Sequence, residues 1–237
     1  NMGQVKDIIQ ADFSQADGNG YIVLSPQVLH AGNYGVPESR ERVIFIGIRK
    51  DALKEEIAQI LKNDLIPNHL NPYPQPTHNC TLNDETLATP VVLCDVLKQL
   101  KEPKESFDPS QRFYSKAKYM GAHCQGQKEI TMNSIGPTIR SEHHGNIEYR
   151  RLSLEHGGTN KNELEKGLAE RRLTPRECAL IQTFPPDFQF VIPKDYDWKR
   201  FIVSASGAYK VIGNAVPPIL AYHIAMRIQN LWSTYFK

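Results

Sequence analysis

The run Val43-Ile44-Phe45-Ile46-Gly47-Ile48 narrows the folds open to this chain more than any other feature. It carries no charge and is rich in β-branched residues, so it leaves no face for water. Such runs are usually strands buried on both faces, as in a parallel sheet covered by helices. A helix is the rival reading, but the run is short and contains Gly47. Leu53, Ile57, Ile60 and Leu61 then recur at i, i+4, i+7 and i+8, the spacing of an amphipathic helix, with Asp51 as its candidate N-cap. Upstream, residues 4–16 predict a short helix ended by Gly18-Asn19-Gly20. Tyr21–Leu24 and Gln27–His30 read as a strand region interrupted by Pro26. The first ~60 residues therefore read as the end of an α/β sheet domain.

The texture changes after Lys62. Pro67, Pro72, Pro74, Pro76 and Pro90 punctuate a polar stretch and predict an extended connector over 63–90. Residues 91–100 suit a short helix. Residues 106–160 hold many turn formers and little periodicity, which predicts short strands and loops in a smaller, irregular α+β domain over 91–172. Helical grammar returns in 173–237. Thr174-Pro175-Arg176-Glu177 fits a capping box with proline at the first helical position. Leu220, Ile224, Ile228 and Leu231 mark a last helix after Pro217-Pro218.

Composition removes several classes. Hydrophobic residues make up 40% and charged ones 23%, enough for a core and against wholesale disorder. No apolar run approaches the ~18–20 residues of a membrane span, so no membrane partner is expected. The four cysteines form no CxxC pair, which removes zinc ribbons and thioredoxin-like motifs. Reduced thiols in the cytoplasm are expected. Glu142-His143-His144 lacks metal-ligand spacing, so no metal is expected. Cys124, beside Gln125, would need a lowered pKa to act as a nucleophile, and no neighbour in sequence provides it.

Three stretches could carry chemistry. Gly35-Val36-Pro37-Glu38-Ser39-Arg40-Glu41-Arg42 leads into the apolar run. If extended, it sets Glu38, Arg40 and Arg42 on one face. Either Arg40 and Arg42 hold a carboxylate, phosphate or polar carbonyl, or Glu38 pairs with Arg40 and Arg42 is solvated. Between residues 111 and 151 seven basic residues (Arg112, Lys116, Lys118, Lys128, Arg140, Arg150, Arg151) outnumber three acidic ones, with Phe113, Tyr114, Tyr119 and Tyr149 among them. That pattern suits a phosphate-backbone surface, or a solvated loop face over core tyrosines. Finally, Gly213-Asn214-Ala215-Val216-Pro217-Pro218 is either a ligand-binding turn or an ordinary one.

Together these stretches resemble the C-terminal half of the DNA (cytosine-5)-methyltransferase family. Residues 33–42 resemble its eighth motif, with Glu38 where glutamine is usual. Arg172–Ala179, continuing to Gln182-Thr183-Phe184-Pro185, resembles the ninth. Gly213–Pro218 resembles the tenth. The resemblance implies the end of a Rossmann-like methyltransferase sheet domain plus a target recognition domain. It implies methyl transfer from S-adenosylmethionine to a cytosine flipped out of double-stranded DNA, in a restriction-modification system of the bacterial cytoplasm and nucleoid. By the same resemblance Arg42, supported by Arg40, serves catalysis. Asn214, Ala215 and Val216 wall the cofactor. Gln125, Lys128, Thr138 and Arg140 meet DNA. The family's Pro-Cys-Gln nucleophile and Glu-Asn-Val acid motifs are absent from these 237 residues. An N-terminal catalytic half or subunit is therefore expected to supply them and to share the cofactor. The alternative is a DNA-binding specificity module without catalytic duty.

Overall fold

The computed structural model describes the chain except residues 1, 17, 64 and 142–145. It divides into two compact units, one of residues 1–30, 41–76 and 221–237, the other of residues 31–40 and 77–220. The proline-rich 63–90 segment is shared between them at Pro76/Thr77.

In the first unit, the helix Met2–Gln15 leads into two antiparallel strand pairs: Tyr21–Val23 with Gly47–Arg49, and Gln27–His30 with Glu41–Ile44. This corrects the reading of Val43–Ile48 as one strand buried in a parallel sheet. The run breaks after Ile44, its two halves join different pairs, and both pairs are antiparallel. The physical reason is the alternation of a two-stranded ribbon, where one face packs and the other meets solvent. Val43 and its cross-strand partner Val28 are 55% and 61% exposed, whereas Ile46 and Ile48 are buried with Ile22, Leu24, Leu53, Ile57, Leu61 and Tyr73. The helix Glu55–Leu61 turns Ile57 and Leu61 into that core but starts after Lys54, without a side-chain cap. Asp51 is instead held by Arg49 at 2.6 Å and Asn19 at 2.9 Å. The C-terminal tail returns to this unit, where Lys54 N donates to Tyr235 O at 2.9 Å and Lys237 N to Ala52 O at 3.1 Å.

The second unit packs the helices Leu93–Leu97, Pro175–Ile181 and Ala205–Asn214 around Leu93, Leu97, Ile139, Leu173, Cys178, Ile181, Tyr209 and Ile212. The Thr174 capping box forms as its sequence demands: Glu177 N donates to Thr174 Oγ1 at 3.0 Å and Thr174 N to Glu177 Oε2 at 2.8 Å. Two more antiparallel pairs complete it, Tyr149–Arg151 with Arg171–Arg172 and Ile192–Pro193 with Phe201–Val203. The fold is thus mixed α/β with small sheets. Among the described residues, no helix is long and apolar enough to cross a membrane.

The Tyr149–Arg151 pair is built on arginine. Arg151 is 1% exposed and donates to Glu102 at 2.5 Å and to Glu163. Arg171 reaches Glu177 at 2.8 and 2.9 Å and Glu102 at 3.1 Å. Arg150 pairs with Glu163 at 2.6 Å. Arg150 and Arg151 are therefore not part of a phosphate-facing surface, a correction with a plain cause: a buried guanidinium needs acceptors close by, and here the half-buried Glu102 and Glu163 supply them.

Burial would raise the Glu102 carboxyl, but hydrogen bonds from Arg151 and Arg171 outweigh it and hold the pKa at about 2. With the folded value below the unfolded one, this group stabilises the fold above its unfolded pKa, and the gain is lost as pH falls through the folded value. We expect the urea midpoint to drop between pH 4.5 and about 2, and Glu102→Gln to flatten that drop. The same variant should lose about 2 kcal/mol at pH 7, less than a fully buried pair because Glu102 is 27% exposed.

Candidate functional site

The eighth-motif segment is held by Arg40. Ahead of it, Gly35 takes φ +84°, and a Cβ there would lie 2.8 Å from His78 Cε1. The chain then runs beside residues 136–139. Ser39 N donates to Gly136 O at 2.8 Å, Gly136 N to Pro37 O at 2.9 Å and Thr138 Oγ1 to Ser39 O at 2.5 Å. Glu38, fully buried, accepts from Ile139 N at 2.6 Å and Arg40 Nη1 at 3.3 Å. Arg40, 1% exposed, also donates from Nη1 to Ile139 O at 2.8 Å and from Nη2 to Gly213 O at 2.7 Å and Ala215 O at 3.0 Å.

One guanidinium thus joins residues 38–40, 136–139 and 213–215. The last of these is the end of the helix Ala205–Asn214, whose final carbonyls have no partner within the helix. A cation placed there satisfies them and complements the negative helix end. Gly213 permits the approach, since a Cβ would sit 2.1 Å from the Arg140 carbonyl carbon. Beyond the latch, Asn214 is exposed, Ala215 half-buried and Val216 47% exposed.

Arg42 differs in kind. It lies in the strand Glu41–Ile44, in the other unit, is half-buried, and donates to the carbonyl of Glu41 at 2.6 Å in a solvent-exposed bond. Of the two sequence readings, the Glu38–Arg40 pair is present, and Arg40 spends its donors on the protein's own backbone.

The expected DNA-facing residues fall in two places. Thr138 and Arg140 flank Ile139 at the latch. Gln125 is exposed in a turn ending at Gly126, where φ is +74° and a Cβ would lie 2.4 Å from the Asn146 carbonyl carbon. The Lys128 side chain is exposed while its N–H donates to Glu148 Oε2 at 3.0 Å. Glu148 also approaches Arg140 at 3.8 Å, so one carboxylate links the two places. Arg112, Lys116 and Lys118 are exposed as well.

Sequence reasoning missed Glu148 and Arg172. Arg172 is 1% exposed, lies 4.3 Å over the Tyr149 ring and donates to Gly126 O at 2.7 Å, Ala117 O at 3.1 Å and Ile147 O. It fixes the loop that carries Gln125. Arg172 opens the stretch that resembles the ninth motif, but an arginine bound to distant carbonyls leaves no local pattern that would give it this task.

Cys178 is fully buried, and burial pushes its thiol well above the usual range. Burial raises Cys80 as well. Neither suits a nucleophile. Among the described residues no group of three or more His, Cys, Asp or Glu could hold a metal ion. Glu142, His143 and His144 lie outside the described residues.

Comparison with known proteins gives the class. The chain belongs to the C-5 cytosine-specific DNA methylase family, whose model matches residues 3–230. It is 29% identical to the Type II methyltransferase M.FnuDI of Fusobacterium nucleatum over 97% of this chain and 60% of that protein. It is 32% identical to the Type II methyltransferase M.BspRI of Lysinibacillus sphaericus over 99% of this chain and 49% of that one. The chain thus spans about half to three fifths of the curated relatives it matches. Among solved structures, a DNA modification methyltransferase encoded within an E. coli prophage aligns over 97% of this chain and 66% of its own. Its TM-score is 0.44 at 22% identity, too loose to carry functional weight.

Arg40→Ala should cost roughly 3–5 kcal/mol in urea unfolding, because it strands a buried carboxylate and three buried carbonyls. Arg42→Ala should cost about 1 kcal/mol or less, because the half-buried side chain makes only a local bond to its neighbour's carbonyl. Equal losses would mean that Arg40 is not the latch described.

Proposed function

We propose that this chain is the target-recognition part of a DNA cytosine-5 methyltransferase of a restriction-modification system, acting on a flipped cytosine in a specific double-stranded site. The observation that carries it is the family match over residues 3–230. Relatives named Type II methyltransferases, from bacteria, support the restriction-modification role and a place in the bacterial cytoplasm, at the nucleoid.

An N-terminal catalytic half, in the same polypeptide or another, supplies the nucleophilic cysteine and the acid. Two observations support this. No Pro-Cys-Gln or Glu-Asn-Val occurs in these 237 residues, and Cys178 is sealed in the core. The first unit also leaves Val5, Ile8, Val28 and Val43 exposed. Apolar side chains in that number suit the edge of a larger, Rossmann-like sheet that further polypeptide covers.

In this reading each residue has a defined task. S-adenosylmethionine, when bound, supplies an electrophilic methyl group. Asn214, Ala215 and Val216 form one wall of its site. They fit it chemically: an exposed carboxamide and an exposed apolar side chain sit on a backbone that Arg40 fixes. Arg42 donates to the cytosine carbonyl, where negative charge grows as the thiolate adds to C6 and C5 becomes nucleophilic. Its solvent-exposed bond and its short strand suit that task. Arg40 acts through the loop it holds rather than on the base. Gln125 fills the space the flipped base leaves, and Lys128, Thr138 and Arg140 meet bases or phosphates. The missing nucleophile motif also favours a second reading, a specificity module without catalysis, but that reading gives the Asn214 wall no use.

Methyl transfer to DNA, measured with and without the N-terminal half, tests this. The chain alone should be inactive. Activity of the chain alone that survives Cys124→Ala would falsify the division of labour. With the halves combined, Arg42→Ala should slow single-turnover methylation about 10²–10³-fold at saturating DNA. Lys128→Ala should weaken DNA binding with a milder effect on that step. An Arg42→Ala enzyme that reacts at the wild-type rate once bound would remove Arg42 from the chemistry.

A further inference from the structure

The hairpin formed by Ile192–Pro193 and Phe201–Val203 lies between the ninth and tenth motifs and belongs to neither. Its turn holds two aromatic residues in opposite situations. Trp198 is held. Its φ is +56°, a conformation that bulky side chains rarely adopt. Its ring packs edge-on against Phe113 with centroids 5.6 Å apart, and the Arg112 guanidinium lies 5.2 Å over it. Phe113 packs in turn on Phe201 at the base of the hairpin, at 4.8 Å. Tyr196, two residues earlier, is fully exposed.

A bulky residue persists in the left-handed region only where its surroundings over-determine it. Here the packing of Trp198 fixes the turn, and the fixed turn projects Tyr196 into solvent. Beside it opens a groove of about 430 Å³ whose lining includes Pro109, Val191, Lys194, Asp195, Tyr196 and Trp198, room enough for a nucleobase. The charges of the turn are arranged consistently. Asp195 is paired with Arg200 at 2.8 Å and Asp197 with Lys199 at 3.1 Å. Both acids are neutralised locally, and Lys194 and Arg112 remain exposed cations on the same element and its neighbour.

We propose that this hairpin is a second DNA-contacting element, apart from the basic segment 111–151, with Tyr196 as its stacking residue and Lys194 as its phosphate contact. The inference rests on the reading that the chain acts on DNA. A protruding aromatic ring on a rigid turn loses little freedom on binding, and every base offers it a π-face. The paired acids remove the repulsion that would otherwise keep a phosphate backbone away.

The test is the affinity of the full chain for a short mixed-sequence duplex carrying one mismatched, unstacked base, followed by fluorescence anisotropy over a salt series. Tyr196→Ala should weaken binding about tenfold, in the range for lost base–aromatic stacking, with the salt slope unchanged. Tyr196→Phe should bind like wild type, and Lys194→Ala should lower the slope by about one. Wild-type affinity for Tyr196→Ala, with the wild-type chain binding well, overturns the proposal and leaves the DNA reading standing. A Tyr196→Ala defect confined to self-association on a sizing column would assign the turn to protein contact and overturn it too. No binding by the wild-type chain would sink the DNA reading beneath it.

Discussion

The buried guanidinium of Arg40 is the interaction on which the second unit's candidate site depends. Four acceptors surround it: the Glu38 carboxylate and the carbonyls of Ile139, Gly213 and Ala215. Those acceptors sit on three segments far apart in sequence. Each carbonyl alone would be an unsatisfied buried acceptor, and the charge alone would be prohibitively desolvated. Only the assembled set is tolerable, so residues 38–40, 136–139 and 213–215 order together or not at all. Glu38, where the family usually has glutamine, fits this logic. Its negative charge meets the buried positive one.

The same principle recurs at a distance from the latch. Arg151 and Arg171 share Glu102, Arg150 and Arg151 share Glu163, Arg171 takes Glu177, and Arg172 lies on Tyr149 with its donors spread over loop carbonyls. Residues 91–172 have short strands and little apolar periodicity, so few regular elements stiffen them. Directional bonds from planar guanidiniums do that work instead. The segment's rigidity is electrostatic in origin, and a charge count along the sequence mistakes these interior residues for surface ones.

Arg40 and Arg42 differ in their partners rather than in their chemistry. Two residues apart in an RxR sequence, they are chemically alike. One is held by protein acceptors on both terminal nitrogens and cannot turn toward a ligand without breaking the latch. The other donates to its neighbour's carbonyl, within its own strand.

The sequence by itself determined whatever rests on local grammar. The Thr174 capping box and the helix over residues 4–16 were legible because each depends on residues within a few positions of one another. Glycine at 35 and 213 was visible as a motif element, though not why it is needed. Only the tertiary structure decided the pairing of the Val43–Ile48 run, because an apolar run gives burial but not direction, and a strand pair covered on one face differs from a parallel sheet only in its neighbours. It alone decided that Arg150, Arg151 and Arg172 are interior, since a guanidinium is soluble or buried according to acceptors tens of residues away. And it alone distinguished the surroundings of Arg40 from those of Arg42, because the carbonyls that hold Arg40 come from residues 139, 213 and 215, a three-dimensional closure that no spacing in the chain encodes.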